Sequence, residues 1–242
     1  MRVDVVLTVE ALDPWALDGR TALVIDVLRA STTMITALAN GAAAIVPVGS
    51  SDEARLRRAA AGNGTLLAGE RRGDTVPGFD LGNSPLEMTA PRVEGKTVIF
   101  TTSNGTRALL ACRQAASVGV AAVVNASAAA RWAAAQGRDV TLVCSGERGA
   151  RSLEDHVGAG LVAAALHALV PAAVLTPGAA EARAEAERYR GDVARVGQDS
   201  AWARHLRRSG RGADVAFCLC LDTSALVPVF LPDVDKVVAA PR

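Results

Sequence analysis

The chain alternates short apolar runs with longer segments whose apolar residues repeat at helical spacing. Apolar runs of this kind are typical of strands that are buried on both faces of a parallel sheet. Strands that alternate with helices predict an α/β fold with three layers, α/β/α, around a largely parallel or mixed central sheet. The predicted strands are residues 3–9, 22–25, 42–48, 65–68, 97–100, 118–124, 139–144, 216–221 and 227–231.

Helical patterns fill most of the intervals, at residues 34–40, 51–61, 108–115, 128–136, 152–170, 179–189 and 200–208. Residues 157–180 carry no formal charge and are long enough to span a bilayer, but prolines, glycines and alanines keep their hydrophobicity low. We therefore expect a buried helix that ends near residue 170, and no membrane span. Residues 74–91 contain several prolines and glycines, which predicts a long, ordered and functional loop.

The same order of elements occurs twice along the chain. Each copy has a strand, a hydroxyl-rich helix start, a helix, a strand, a helix and a strand. The first copy ends at Gly69-Glu70-Arg71 and the second at Gly146-Glu147-Arg148. This repeat indicates an internal duplication within a single domain of residues 1–242, with one sheet made of two quasi-equivalent halves.

Composition narrows the classes of function. The net charge is +1 and only 3% of residues are aromatic, which gives no support for a nucleic-acid partner. No signal peptide is visible at the N-terminus. The chain has four cysteines, which lie mostly in apolar surroundings and are expected to be reduced thiols of a cytoplasmic protein: Cys112, Cys144, Cys218 and Cys220. Oligomeric state is left open between a monomer and a homodimer.

The first candidate site follows the strand at residues 22–25. The strand ends at Asp26, and Arg29 and three hydroxyl residues at a helix start come next, namely Ser31, Thr32 and Thr33. Helix N-termini favour anions because their backbone N–H groups are free and the helix dipole is positive there. An ordinary N-cap explains one hydroxyl but neither charged residue. The stretch therefore predicts an anion site.

Further acids and anion-binding groups follow the other strands. Because the carboxyl ends of parallel strands share one edge, several carboxylates there suggest a hard cation, most simply Mg²⁺. Arginine forks suit phosphate, sulfonate and carboxylate groups. No common nucleotide-binding or hydrolase motif is present. The candidate acids are Asp26, Glu70, Asp80, Glu147, Glu154 and Asp155, and the hydroxyl and arginine groups beyond residue 33 include Arg71, Ser84, Thr102, Ser103, Thr106 and Arg107.

Several motifs together resemble one family. The matching stretches are residues 26–33, 69–71, 78–85, 101–106, 125–126, 152–155, 214–215 and 227–229, which fall in order over nearly the whole chain. They are similar to those of the ComB-like 2-phosphosulfolactate phosphatases of coenzyme M biosynthesis. Residues 118–122 lack a Gly-Ser turn expected there, and residues 146–149 are more charged than the family pattern.

The resemblance implies a Mg²⁺-dependent phosphatase that releases phosphate from 2-phosphosulfolactate on a three-layer α/β/α fold. It implies that Asp26, Arg29 and Glu70 are catalytic, with Asp26 as the nucleophile or as a metal ligand. It implies metal ligands among Asp26, Glu70, Glu154 and Asp155. The residues expected to hold the small anionic substrate are Ser31, Thr32, Thr33, Arg71, Asn83, Ser84, Thr102, Ser103, Asn104, Gly105, Thr106 and Arg107.

Two other functions remain as alternatives at this point. One keeps the site and changes the substrate to another small phosphorylated hydroxy acid. The other is a non-catalytic protein that binds a small anion, in which the acids serve only as helix caps.

Overall fold

The apolar runs form one eleven-stranded sheet in the computed structural model, which describes residues 1–62 and 64–240. Asn63, which the sequence suggests as a turn residue beside Gly64, lies outside the described residues. The strands are β1 (Arg2–Val6), β2 (Thr21–Ile25), β3 (Ala44–Pro47), β4 (Thr65–Arg71), β5 (Asp74–Thr75), β6 (Thr97–Thr101), β7 (Ser117–Ala121), β8 (Val140–Cys144), β9 (Val174–Leu175), β10 (Pro228–Leu231) and β11 (Lys236–Ala239).

Hydroxyl side chains begin four of the helices. Ser50, Ser152, Thr176 and Ser200 each accept the backbone N–H three residues later, which satisfies one of the free donors of a helix N-terminus. The helices are α1 (Ala30–Ala39), α2 (Ser51–Ala61), α3 (Ala90–Val93), α4 (Gly105–Ala111), α5 (Ala126–Ala135), α6 (Leu153–Leu169), α7 (Pro177–Glu187), α8 (Val196–Asp199), α9 (Ala201–Arg208) and α10 (Gly212–Cys218).

The sheet has two parallel groups that run in opposite directions. Its order is β5-β4-β6-β3-β11-β10-β7-β2-β8-β1-β9. Strands β4, β6 and β3 are parallel to one another, and so are β7, β2, β8, β1 and β9. The hairpin of β10 and β11 joins the groups through antiparallel pairs on both sides. The predicted mixed sheet is confirmed.

The predicted repeat has a counterpart in this strand order. The first copy is β2-α1-β3-α2-β4, and the second is β6-α4-β7-α5-β8. The first strand of each copy lies between the second and third strands of the other copy. The two copies therefore occupy equivalent places in one sheet, related across the central hairpin.

Helices cover both faces of the sheet, which makes the three layers. Along β2, Leu23 and Ile25 face the cluster that contains buried residues of α5, α6 and α7. The alternate residues Ala22 and Val24 face the cluster formed with α1 and α4. This alternation is the two-residue period of a strand that is buried on both sides.

Close packing of α6 on α7 depends on a glycine. A Cβ atom on Gly160 would lie 1.9 Å from the carbonyl oxygen of Ala182, so no larger residue fits without separating the helices.

Helix α6 ends at Leu169, close to the predicted position. Within the described residues, no helix combines the length and the apolar character needed to cross a membrane.

The prediction of a strand at residues 216–221 is wrong, because residues 216–218 belong to α10 and residues 219–221 are in no strand. Val215 and Cys218 are buried on one side of that helix, at the three-residue spacing that helical periodicity requires. Short apolar runs do not distinguish a strand from a buried helix.

All four cysteines are free, and Cys220 differs from the other three in being exposed.

Candidate active site

Two helix starts at the carboxyl ends of β2 and β6 are built in the same way. The Asp26 N–H donates to Ser31 Oγ at 2.9 Å, and Asp26 Oδ1 accepts from the Ala30 N–H at 3.1 Å. In the second copy, the Thr102 N–H donates to Thr106 Oγ1 at 3.0 Å, and Thr102 Oγ1 accepts from the Thr106 N–H at 3.1 Å. Asp26 therefore occupies the place in the first copy that Thr102 occupies in the second.

The residue after each of these positions is held by a buried carboxylate. Glu70, at the end of β4, accepts the Ser103 N–H at 2.7 Å through Oε1. Its Oε2 accepts the Gly73 N–H at 2.6 Å. Glu70 therefore links the loop after β4 to the helix start after β6.

Asp155 makes the corresponding hydrogen bonds in the other half of the site. Its Oδ1 accepts the Val27 N–H at 2.8 Å, and its Oδ2 accepts Ser145 Oγ at 3.0 Å and the Gly146 N–H at 3.1 Å. Three donors thus occupy this carboxylate. Asp155 joins the helix start after β2 to the loop after β8.

Arg29 is a buried cation that is fixed from the C-terminal part of the chain. Its Nη1 lies 2.6 Å from Asp214 Oδ2, and its Nη2 donates to the Gly73 carbonyl at 3.0 Å. Ser84 Oγ donates to the other oxygen of Asp214 at 2.6 Å. A guanidinium has five N–H donors, so this arrangement leaves donors for a ligand.

A cavity of about 520 Å³ opens where the carboxyl ends of both strand groups meet. Each strand is rotated relative to its neighbour, and this twist adds up across a large sheet. The carboxyl ends of two distant strand groups can therefore lie close together even though the groups run in opposite directions. The Asn83 side-chain oxygen is buried and has no hydrogen-bond partner among the described residues. The cavity is lined by Leu28, Arg29, Glu70, Arg72, Gly73, Asn83, Ser103, Asn104, Glu147, Arg148 and Trp202.

Asp26 does not itself line the cavity, but it lies beside Gly105, close behind the lining residue Asn104. A Cβ atom on Gly105, which follows the cavity residue Asn104, would lie only 2.6 Å from Asp26 Oδ2. Glycine is therefore required for the start of α4 to approach the Asp26 carboxylate this closely.

Burial and the like charges of neighbouring carboxylates raise the pKa of several acids at this site. Burial raises the pKa of Asp26 to about 6; the charges of Glu70 and Glu154 add to the increase, and the Ala30 N–H and the Ser145 hydroxyl oppose it. Burial also raises the pKa of Asp155, together with the charges of Asp26 and Glu154. A neighbouring cation or a bound proton would relieve this crowding.

Burial likewise raises the pKa of Glu154, and hydrogen bonds from Ser200 and Ser152 oppose this increase. Glu154 begins α6 beside Asp155, and its side chain is buried. Glu154 is thus the third acid with a raised pKa at this site, and its charge adds to the crowding at Asp26.

The structure brings together only part of the predicted substrate-binding set. Asn83, Ser103 and Asn104 line the cavity, whereas Ser84 acts through Asp214. The hydroxyls of four residues lie buried within the helix starts; Thr33 Oγ1 has no partner, and Ser31, Thr32 and Thr106 bond to backbone groups.

Two predicted arginines point elsewhere. Arg71 donates to Thr101 Oγ1 at 2.9 Å and to the Glu70 carbonyl at 2.7 Å. Arg107 is half-exposed and pairs with Glu10 at 3.2 Å. Neither lines the cavity, because side-chain direction depends on the pleat and helix phase and not on sequence proximity alone.

Seven residues at or behind the cavity are outside the predicted catalytic, metal and substrate set: Leu28, Arg72, Gly73, Glu147, Arg148, Trp202 and Asp214. Trp202 Nε1 donates to the Leu28 carbonyl at 3.0 Å and so supports the loop that carries Arg29. Glu147 ends the second copy of the repeat, which is the one local signal that pointed to it. Asp214 contacts Arg29 across 185 residues of chain, which no local pattern reveals.

Few residues of the site could bind a magnesium ion. Over residues 1–62 and 64–240, no three His, Cys, Asp or Glu side chains form a group that could hold a metal ion. Asp155 is occupied by three donors, as described above. Glu70 also accepts three donors, the N–H groups of Ser103 and Gly73 and the Ser103 hydroxyl, so Asp155 and Glu70 each keep about one free lone pair. Magnesium in phosphate-handling enzymes usually takes one or two carboxylates with substrate oxygens and waters, a set that Asp26 and one such lone pair could supply.

Fold and site together define an α/β protein whose cavity combines buried acids with a fixed arginine, as suits a small anion. The pattern of the family described as 2-phosphosulpholactate phosphatase matches residues 6–232. The chain belongs to this family, whose name designates phosphoric monoester hydrolases. The resemblance stated from the motifs is confirmed.

Three relatives illustrate the similarity, and each is named probable 2-phosphosulfolactate phosphatase. The Symbiobacterium thermophilum protein is 41% identical over 215 residues, which cover 88% of this chain and 92% of the relative. The Deinococcus radiodurans protein is 40% identical over 223 residues, covering 91% and 92%. The Thermotoga petrophila protein is 38% identical over 212 residues, covering 88% and 89%.

Proposed function

We propose that this chain hydrolyses 2-phosphosulfolactate to sulfolactate and phosphate, the reaction named for its relatives. One observation carries the proposal: the buried Arg29 and Glu70 line one cavity between the two helix starts, and Asp26 lies close behind it, beside Gly105. The product would place the protein in coenzyme M biosynthesis. A cytoplasmic location is proposed with it, supported by the free cysteines.

Arg29 is the residue best placed to hold the phosphoryl group. Its contacts to Asp214 and Gly73 fix the guanidinium plane before substrate arrives. Charge that develops on the phosphoryl oxygens during transfer is stabilised most by donors that are already oriented. Asn83 and Asn104 add polar groups on the same cavity.

Asp26 has two roles that fit its position. As a nucleophile, a carboxylate oxygen of Asp26 forms a bond to phosphorus while the bond from phosphorus to the sulfolactate oxygen breaks, and that oxygen takes a proton from water to become the hydroxyl of sulfolactate. Water then hydrolyses the phosphoaspartate. As a metal ligand, Asp26 would hold Mg²⁺ with Glu70, and the ion would neutralise charge on the phosphoryl oxygens.

The test is phosphate release from 2-phosphosulfolactate by the purified protein, with added Mg²⁺ and after full chelation by EDTA. We expect turnover with Mg²⁺ and loss of turnover after chelation; turnover that survives chelation would contradict the metal role. Asp26→Asn should lower kcat by several orders of magnitude, whereas Asp52→Asn on the exposed start of α2 is the matched control. A loss below about tenfold, or about 1.4 kcal/mol, would exclude Asp26 from the chemistry.

A substrate panel separates the proposal from its nearest alternative. Phosphoglycolate, phospholactate and phosphoglycerate are small phosphorylated hydroxy acids without a sulfonate. If one of them is turned over with a higher kcat/KM than 2-phosphosulfolactate, the substrate assignment is wrong while the phosphatase assignment stands. Absence of turnover on every phosphomonoester would favour the non-catalytic alternative.

A further inference from the structure

Two tight turns at the cavity share an unusual backbone conformation. Strands β4 and β5 pair through Arg71 and Asp74, so Arg72 and Gly73 alone form the turn between them. Their φ angles are 58° and 90°. Positive φ at both central residues is the pattern of a type I′ hairpin turn.

The second turn follows β8. Glu147 and Ala150 form an antiparallel bridge, with both N–H···O=C distances at 2.9 Å. Arg148 and Gly149 lie between them, with φ angles of 52° and 75°. The two Arg-Gly turns therefore follow the third strand of each copy of the repeat and have the same form.

Arginine is a poor choice for the first position of such a turn. Positive φ suits glycine and asparagine, and other residues reach it at a conformational cost. Four non-glycine residues in the described part of the chain have positive φ, and two of them are Arg72 and Arg148. A costly conformation at a cavity indicates that the side chain presented there has a use.

The two arginines line the same cavity, at its exposed rim, and come from different halves of the sheet. Arg148 is 80% exposed, and its nearest acidic oxygen is Glu147 Oε1 at 3.9 Å. Among the described residues, the Arg72 side chain makes no hydrogen bond or ion pair. Arg72 thus has no charged partner among the described residues and Arg148 has only a long ion pair, so both cations can bind a ligand without first breaking a close contact.

The balance of charge in the cavity points to the same use. Asp214 compensates the charge of Arg29, and the cavity also contains the carboxylates of Glu70 and Glu147. A substrate with a phosphate, a carboxylate and a sulfonate brings several further negative charges. Without more cations the cavity would repel it.

We propose that Arg72 and Arg148 bind the two acid groups of the substrate that do not react, its carboxylate and its sulfonate. These rim arginines then determine specificity for a phosphoester that carries two further acids, while Arg29 holds the phosphoryl group. The inference rests on the proposed function and assigns the binding of these groups to residues other than Arg71 and Arg107.

Asparagine variants test this assignment without disturbing the turns. Arg72→Asn and Arg148→Asn each remove a cation, and asparagine favours the positive φ of the position. Arg138→Asn is the matched control, since Arg138 is exposed and contacts only the Gln136 carbonyl, at 3.4 Å. The substrates are 2-phosphosulfolactate, 2-phospholactate, which lacks the sulfonate, and p-nitrophenyl phosphate, which lacks both acids.

We expect each variant to raise KM for 2-phosphosulfolactate about 10-fold to 100-fold, the effect of losing one charge-assisted contact, with little change in kcat. With 2-phospholactate, one variant should raise KM and the other should not, which assigns each arginine to its acid. With p-nitrophenyl phosphate, both variants should match the control. Circular dichroism melting should give Tm values at or above that of the wild type.

Failure of the inference and failure of the proposed function give different results. If the wild type hydrolyses 2-phosphosulfolactate and both variants keep the KM of the Arg138→Asn control, the inference is wrong and the function stands. If the wild type releases phosphate from p-nitrophenyl phosphate but not from 2-phosphosulfolactate, the proposed substrate is wrong and the inference falls with it. Recovery of the low KM by Arg148→Lys would support a charge contact.

Discussion

The burial of Asp26 predicts that Asp26→Asn, the substitution proposed to abolish activity, also stabilises the protein. Asp26 lies in a crowded acidic site, where burial and the charges of Glu70 and Glu154 favour its neutral form. Asp26→Asn replaces the carboxylate with a neutral group of nearly the same shape. The amide oxygen still accepts the Ala30 N–H, and the amide nitrogen faces the Ser145 hydroxyl, which can rotate to accept it.

The expected magnitude follows from the pKa difference between the folded and unfolded chain. The pKa of Asp26 is 3.8 in its ordinary state and about 6 when folded. The folded state therefore binds the proton more tightly, and stability is lost as pH rises through about 6. The difference corresponds to about 3 kcal/mol, which Asp26→Asn should recover above that pH.

Urea denaturation of the wild type and the variant across pH measures this effect. We expect the free energies of unfolding to agree below the unfolded pKa of 3.8, to diverge between 3.8 and about 6, and to differ by a constant amount above it. The wild-type kcat/KM should fall as pH decreases through about 6 if ionised Asp26 is the reactive form.

Asp155→Asn is an informative contrast, because its carboxylate accepts three donors. An amide nitrogen would there face an N–H or hydroxyl donor, so we expect a loss of about 1–3 kcal/mol. If Asp26→Asn is no more stable than the wild type at pH 7.5, the crowding of acids around Asp26 does not have the strength inferred here.

Three further predictions concern the supports of the site and fold. Asp214→Asn should lower the free energy of unfolding by about 3–5 kcal/mol, because it leaves the buried Arg29 without a charged partner. The double variant Arg29→Met/Asp214→Leu should lose less of this free energy and should be inactive. Additive losses in urea denaturation would contradict this coupling. Gly105→Ala places a methyl group 2.6 Å from Asp26 Oδ2 and should lower kcat more than tenfold, and an unchanged kcat in phosphate release would contradict the contact. Gly160→Ala should cost about 1–3 kcal/mol or more by forcing α6 from α7, measured as a lower Tm with unchanged kcat per folded molecule.

The local parts of the site were predictable from sequence, because they depend on short-range chemistry. A buried strand followed by Asp26 and by helix-start hydroxyls gave the correct position of the first loop, and the same pattern gave the second at Thr102. The repeat was likewise visible before the sheet order was known. These features depend on residues within a few positions of one another.

Features that depend on distant packing were not predictable. The reversed direction of the two strand groups is set by β10 and β11, of which only β10 had a predicted counterpart. The apolar residues of α10 were mistaken for a strand because their short run has no clear period. Neighbouring arginines also differ in role, since Arg71 turns to Thr101 while Arg72 lines the cavity.

The exchange of first strands between the two copies has a consequence for the origin of the fold. Strand β2 completes the group of β7 and β8, and β6 completes the group of β4 and β3. This is the connectivity of a strand-swapped dimer whose two subunits have been fused into one chain. A homodimer of half-length chains would carry two identical loops of this kind, whereas in the single chain the two loops can differ, with an acid at Asp26 in one and a neutral hydroxyl at Thr102 in the other.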